Sequence, residues 1–257
     1  MGTTRKQGSL YTRLSGPLAT VEFGHPASNS LNSELLSRLV DEMHSLGNNP
    51  EVSAILLQSE GDRAFCAGAS FDELLQVSTP EQSTAFFSGF AQLINAMRTC
   101  PKPIVGRVHG KAVGGGVGLI AACDYVLASE GASIRLSELS ISIAPLVIAP
   151  ALERKIGVAG LASLSLSPKE WKSAYWALEQ GLFSRVFETR KELDSESEFF
   201  AAQLASYNQD ALSQMKRALW EGTDHWDELL AARAAITGKL ALSKTTQDTL
   251  RKFKDKS

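Results

Sequence analysis

Two segments of this 257-residue chain share one local design, and that design limits its folds more than any other feature. In each, a short apolar strand runs into a glycine-bearing turn and a helix follows. The first joins Ala54-Ile-Leu-Leu-Gln58 to Phe65-Cys-Ala-Gly-Ala69 and a helix from Phe71. The second joins Ile104-Val-Gly-Arg-Val108 to Gly114-Gly115-Gly116 and a helix from Val117. A helix N-terminus presents unpaired backbone N–H groups and a partial positive charge. Glycine lets that backbone approach a ligand without a side chain in the way. The second turn is not a nucleotide loop: no Gly-Lys-Ser/Thr follows it, and Gly114 to Gly118 lacks the dinucleotide spacing.

The rest of the chain fits the same alternation. Leu18 to Phe23 alternates and is β-branched, so it predicts a strand, and Gly24 to Ser30 is turn chemistry. Asn32-Ser33-Glu34 opens a helix whose Leu35, Leu36, Leu39, Val40, Met43 and Leu46 fall at helical spacing. Val52 to Gln58 predicts a strand buried on both faces, and residues 59–69 a loop. Helices are expected over 71–75 and 80–99, and strands at 104–108, 125–129 and 134–136. From Ala151 the pattern is helical apart from Phe183 to Phe187. The expectation is an α/β core over residues 1–190 with a helical C-terminal region over 191–257. No repeat of fixed period is visible. Apolar stripes along Asp194–Leu219 and Trp226–Leu250 suit packing on the core or on a neighbouring subunit.

Several function classes are disfavoured. With 26 basic and 28 acidic residues the net charge is −2, which gives no electrostatic case for nucleic acid or an anionic membrane. Cys66, Cys100 and Cys123 are too widely spaced for a disulfide framework or a zinc site. Cys66 reads as a small buried residue rather than a reactive thiol. No His/Asp/Glu cluster suggests a metal. The apolar stretch Val113 to Ala128 is broken by glycines and Asp124, too often for a membrane span. Residues 1–8 lack the apolar core of a secretory signal, and the weak myristoylation match at Gly2 reads as a frayed tail. The expected compartment is the cytoplasm.

Taken together, Cys66-Ala-Gly-Ala-Ser-Phe-Asp-Glu-Leu74 and the stretch Lys102-Pro-Ile-Val-Gly-Arg-Val-His-Gly-Lys-Ala-Val-Gly-Gly-Gly-Val-Gly-Leu-Ile-Ala-Ala-Cys-Asp-Tyr-Val-Leu-Ala128 resemble the two oxyanion motifs of the enoyl-CoA hydratase/isomerase (crotonase) superfamily. The resemblance runs from about Leu18 to Ile156 and is looser beyond. It implies a ββα spiral core with a helical C-terminal trimerisation region, assembled as a homotrimer or a dimer of trimers. It implies an acyl-CoA thioester substrate and no separate cofactor, since coenzyme A is part of the substrate. By matching positions, the backbone N–H groups of Ala69 and Gly115 would hold the thioester oxygen, with Ala67, Gly68, Gly114, Gly118 and Pro145 lining the substrate. Two such donors about 2.7–3.1 Å from a developing oxyanion stabilise it by several kcal/mol.

Such chemistry also needs a proton carrier. The familiar hydratases of the superfamily use two glutamates. The first position falls here on Gly118, which carries no proton. The second falls in Ser137-Glu-Leu-Ser-Ile-Ser-Ile-Ala-Pro145, at Glu138. Its apolar neighbours Ile134, Leu136, Leu139, Ile141 and Ile143 should raise the carboxyl pKa toward neutrality. The set Gly114 to Asp124, Leu136-Ser-Glu138 and Ile143-Ala-Pro145 is similar to bacterial hydratases of the methylglutaconyl-CoA type, which implies hydration of an enoyl-CoA. One carboxylate also suffices to move a double bond from β,γ to α,β, so Δ3,Δ2-isomerisation is the alternative. A non-catalytic protein that binds a CoA ester or a partner is the third. After Pro145 the chain reads Leu146-Val-Ile-Ala-Pro150 where many relatives carry glycines, which predicts an apolar pocket roof. The match fades over residues 158–175.

The remaining candidates read as structural. Ser70 is placed to cap the helix from Phe71. His109 is expected to be a hydrogen-bonded structural histidine, Asp124 structural, and Trp171, Trp176, Trp220 and Trp226 anchors of core or interface. Arg251, Lys252, Lys254 and Lys256 suit a solvated helix end. The resemblance adds the alternative of a phosphate contact on a neighbouring subunit.

Overall fold

Strand-forming residues pair into two sheets. A computed structural model describes residues 7–254, with side chains to residue 252; Gly2, the side chain of Lys254 and Lys256 lie outside the described residues. The strands are β1 (Ser9–Ser15), β2 (Leu18–Gly24), β3 (Ala54–Ser59), β4 (Ala64–Cys66), β5 (Ile104–Val108), β6 (Lys111–Val113), β7 (Tyr125–Ser129), β8 (Ser133–Arg135), β9 (Lys172–Ser173) and β10 (Arg185–Phe187). The larger sheet has the order β1-β2-β3-β5-β7-β10. Only β1 is antiparallel to its neighbour. The smaller sheet has the order β4-β6-β8-β9, with β9 antiparallel.

The helices are α1 (Ser33–Asn48), α2 (Phe71–Leu74), α3 (Pro80–Thr99), α4 (Gly115–Ala122), α5 (Ala149–Ser165), α6 (Ala174–Glu179), α7 (Arg190–Ala205), α8 (Gln209–Leu219), α9 (Trp226–Ala241) and α10 (Lys244–Lys254). Asn32 caps α1 by accepting the Leu35 N–H at 2.8 Å, as the local sequence predicts. Ser70 likewise caps α2, accepting from the Glu73 N–H at 3.4 Å. Gly157, at φ 66° and ψ 174°, divides α5 into two helical pieces.

The chain winds by repeating one unit: a strand of the larger sheet, a strand of the smaller sheet, then a helix. β3, β4 and α2 form one unit, and β5, β6 and α4 the next. β7 and β8 lead into a 3-10 turn, Glu138–Ile141. Residues 59–69, expected as a loop, contain β4, and β6 is likewise unpredicted. Each is three residues long, too short for alternation to register. This spiral has no fixed residue period because the connections differ in length.

The central strand β3 is buried on both faces, as its unbroken apolar sequence predicts. Period-two alternation sends Ile55 and Leu57 into the main core. Ala54 and Leu56 meet Leu193, Ala201 and Ala205 of α7 on the other face. α9 lies along α3 so closely that the Ser83 hydroxyl donates to the Gly238 carbonyl at 2.9 Å. Asp124, after α4, accepts from Lys216 Nζ at 2.6 Å, Trp220 Nε1 at 2.7 Å and the Ile104 N–H at 2.7 Å, which ties α8 to the core. Its structural reading therefore holds. No helix among the described residues is long and apolar enough to cross a membrane.

Candidate active site

The two glycine-bearing turns meet. Leu31 fixes the first from both sides: its N–H donates to the Gly68 carbonyl at 2.7 Å, and its carbonyl accepts the Ser70 N–H at 2.8 Å. Gly68 has φ +86°, and a Cβ there would lie 2.6 Å from the Val113 carbonyl of the second turn. Only glycine permits that approach. In the second turn the Gly114 N–H donates to the Arg135 carbonyl at 2.9 Å, and its own carbonyl accepts from Val117 at 2.8 Å. Ala69 N–H and Gly115 N–H are left over: among the described residues neither has a hydrogen-bond partner. Both residues line one cavity of about 180 Å³.

Glu138 enters that cavity from the start of the 3-10 turn. Among the bonds that hold the turn are Ile143 N–H to the Glu138 carbonyl at 3.0 Å, Ser142 N–H to the Leu139 carbonyl at 3.1 Å and Ser140 N–H to the Ser137 carbonyl at 3.0 Å. Ser142 itself sits at φ +62°, and its carbonyl accepts from the Thr246 hydroxyl of α10 at 3.1 Å. The carboxyl oxygen Oε2 is sealed from solvent and has no partner among the described residues. Burial pushes the Glu138 pKa up to about 7; its own backbone N–H and the charge of Arg135 offset part of that rise. Arg135 is itself engaged, its guanidinium lying 4.5 Å from the centroid of the Trp171 ring.

Gly114 is where the second turn and the carboxyl come together. It has φ +53°, and a Cβ there would lie 2.6 Å from Glu138 Oε1. The other walls are mostly apolar, built from Phe71, Leu74, Phe87 and Phe90 and the predicted roof of Leu146 and Ile148. Phe90 packs so tightly on Gly115 that any Cβ there would collide with its ring. Such a cavity offers two backbone donors, one near-neutral carboxyl and space for an acyl chain.

Ala67, Gly68, Ala69, Gly114, Gly115, Glu138 and Pro145 all line this cavity. Gly118 is not among the residues that line it. It is buried one turn into α4, and a Cβ there would come within 2.7 Å of Ile148 Cβ. The position is thus filled by Ile148 rather than vacant. His109 is corrected: it is buried away from the cavity, but neither ring nitrogen is hydrogen-bonded among the described residues. Burial, with the nearby charges of Arg190 and Arg107, lowers its pKa to about 4. Cys66 is fully buried beside Gly68 and Gly116, and burial pushes its thiol up to about 12. No metal-binding group of residues occurs among those described. Phe87, Phe90 and Thr237 also line the cavity, and nothing in the sequence marked them for it. The periodicity of α3 marks the two phenylalanines as apolar-face residues, but nothing local says which cavity that face lines.

The profile of the family described as "Enoyl-CoA hydratase/isomerase" matches residues 14–257. The chain is similar to the peroxisomal Delta(3,5)-Delta(2,4)-dienoyl-CoA isomerase of Arabidopsis thaliana, 31% identical over 65% of this chain and 64% of that protein. It is similar to the short-chain-enoyl-CoA hydratase of Clostridium acetobutylicum, 27% identical over 94% of this chain and 92% of that protein. Among solved structures it is similar to an enoyl-CoA hydratase/isomerase from Pseudoalteromonas atlantica T6c, with a TM-score of 0.84 and 28% identity over 96% of this chain and 97% of that one.

Proposed function

The chain belongs to the enoyl-CoA hydratase/isomerase family, and on that premise we propose that it is an acid–base enzyme acting on an enoyl-CoA thioester, with Glu138 as its single proton carrier. In this reading the N–H groups of Ala69 and Gly115 hold the thioester oxygen. Taking a C2 proton from a 3-enoyl-CoA moves charge onto that oxygen, where the two donors stabilise it. Returning a proton at C4 gives the 2-enoyl-CoA, and no atom is gained or lost. A carboxyl with a pKa of about 7 suits both halves of that transfer. The observation that carries the reading is Glu138, a near-neutral carboxyl whose buried Oε2 has no partner, in the same cavity as two unpaired backbone donors.

Hydration of a 2-enoyl-CoA is the second reading. The activity by which the Clostridium acetobutylicum relative is known, short-chain-enoyl-CoA hydration, favours it. Ile148 over Gly118 favours isomerisation, because it fills the place from which a second carboxylate would activate water. The acyl group is proposed to be uncharged. No cationic side chain lines the cavity among the described residues, and a methylglutaconyl group would bury a second carboxylate there unpaired. Assembly as a homotrimer or a dimer of trimers belongs to the same proposal.

A panel of 3-enoyl-, 2-enoyl- and branched dicarboxylic CoA thioesters, resolved by chromatography and mass spectrometry, tests it. Conversion of 3-enoyl- to 2-enoyl-CoA without change of mass is expected. Gain of water from the 2-enoyl esters would select hydration. Binding of every ester with turnover of none would leave a non-catalytic CoA-ester binder.

A further inference from the structure

The turn that carries Glu138 is not held from within alone. At its end Ser142 stands at φ 62° and ψ 25°, a left-handed conformation that a side chain disfavours. A non-glycine residue stays there only where its surroundings over-determine it. Here one peptide plane does so. The Ser142 carbonyl and the Ile143 N–H belong to the same planar trans peptide, so they point in opposite directions and turn together. On one side the Ile143 N–H donates to the Glu138 carbonyl at 3.0 Å; on the other the Ser142 carbonyl accepts from Thr246 Oγ1 at 3.1 Å. A single rigid unit thus connects α10 to the backbone of Glu138.

Thr246 is seated for that contact. It is fully buried in the first turn of α10. Ser243, just before the helix, accepts the Thr246 N–H at 3.3 Å, and its hydroxyl meets Thr246 Oγ1 at 2.9 Å. The single hydroxyl proton of Thr246 faces two carbonyls, Leu240 at 2.8 Å and Ser142 at 3.1 Å. Sharing it between them leaves Ser243 to donate to Thr246. Leu250, farther along α10, is fully buried in the main core and keeps the helix in place. At the other end of the relay the carboxyl has little room, because a Cβ on Gly114 would lie 2.6 Å from Oε1. A small rotation of the turn therefore moves the carboxyl against Gly114 or off it. Resting on the reading of Glu138 as the proton carrier, we infer that Thr246 is a positioning residue, which fixes the orientation of Glu138 through the Ser142–Ile143 peptide.

Thr246→Val keeps the shape and removes the hydroxyl, and Thr246→Ser keeps the hydroxyl. kcat and KM are measured with 3-hexenoyl-CoA for double-bond transfer and crotonyl-CoA for hydration, and affinity with butyryl-CoA by calorimetry. On whichever ester the unaltered protein turns over, Thr246→Val should lower kcat by about tenfold or more. KM and butyryl-CoA affinity should not change, because Ala69, Gly115 and the cavity walls are untouched. Thr246→Ser should keep the parent's kcat. The decisive comparison places Thr246→Val in Glu138→Gln: a residue that acts only through the Glu138 carboxyl should lower kcat no further there. An unchanged kcat, the same fall in both backgrounds, or butyryl-CoA binding weakened in step with kcat would overturn the inference. Should Thr246→Val not fold, it is compared in Ser142→Gly, whose glycine takes φ 62° without steric penalty and offsets part of the lost stability. There too an unchanged kcat on adding Thr246→Val overturns it. If Glu138→Gln loses activity and Thr246→Val does not, this inference alone fails. If Glu138→Gln is fully active, or the unaltered protein turns over neither ester, the reading of Glu138 fails and this inference with it.

Discussion

At the scale of single residues, Glu138 sets an activity and a stability that run in opposite directions with pH. Acting first as a base, it must be ionised, so kcat/KM should rise through a midpoint of about 7. Glu138→Gln should lower kcat by about 10²–10⁴-fold with acyl-CoA binding retained. Full activity in the folded variant would remove Glu138 from the mechanism. For stability the sign is reversed. The folded pKa, about 7, lies above that of an ordinary carboxyl, so the folded protein holds its proton where the unfolded chain has lost it. That contribution is complete below the ordinary carboxyl range and is lost as pH rises through about 7. Denaturant titrations of parent and Glu138→Gln should therefore diverge in the variant's favour from about pH 5 to 8, by up to about 3 kcal/mol. Parallel curves would mean that the carboxyl is not held in a charge-excluding site. Gly114→Ala probes the same contact from the backbone. A methyl at φ +53° and 2.6 Å from Oε1 must displace the carboxyl, so kcat should fall by about 10²-fold while KM changes little. An unchanged kcat would show that the carboxyl position is not critical.

At the scale of elements, the contact of α4 with the start of α5 bears on the choice of reaction. Gly118→Glu alone should destabilise the protein by about 1–3 kcal/mol, because its Cβ runs into Ile148. Combining it with Ile148→Gly opens the space and places a second carboxyl near the cavity. If the natural reaction is isomerisation, the double variant should begin to add water to a 2-enoyl-CoA, read as a mass gain. A folded double variant with no such gain would mean that the second carboxyl is not what hydration lacks here. The junction of α8 with the core rests on a different principle. Asp124 and Lys216 form a buried ion pair whose side chains are 5% and 2% exposed, with the Trp220 indole on the second carboxylate oxygen. Asp124→Ala strands the ammonium, so unfolding by urea should show a loss of about 3–5 kcal/mol. A loss below about 1 kcal/mol would mean that the pair merely offsets its own desolvation.

At the scale of the whole molecule, the helices after β10 leave apolar surface uncovered. Phe199, Tyr207, Met215, Leu219 and Ile236 are all exposed, Phe199 by 66%. Sedimentation at micromolar concentration should show a trimer or a multiple of it, and Phe199→Asp should weaken that assembly. A monomeric parent protein would refute it. What the sequence determined was local: the strand–glycine–helix turns, the caps at Asn32 and Ser70, the two-faced burial of β3, and an acidic residue inside an apolar run. Short-range sterics, hydrogen bonding and periodicity fix these wherever the chain goes. The three-residue strands β4 and β6 were illegible, because their pairing comes from partners between 22 and 47 residues away rather than from their own pattern. The packing of Ile148 over Gly118, of Phe90 on Gly115 and of Thr237 into the cavity wall was decided only by tertiary structure. Each joins parts of the chain whose meeting depends on how the spiral closes, and no local rule encodes a contact made at that distance.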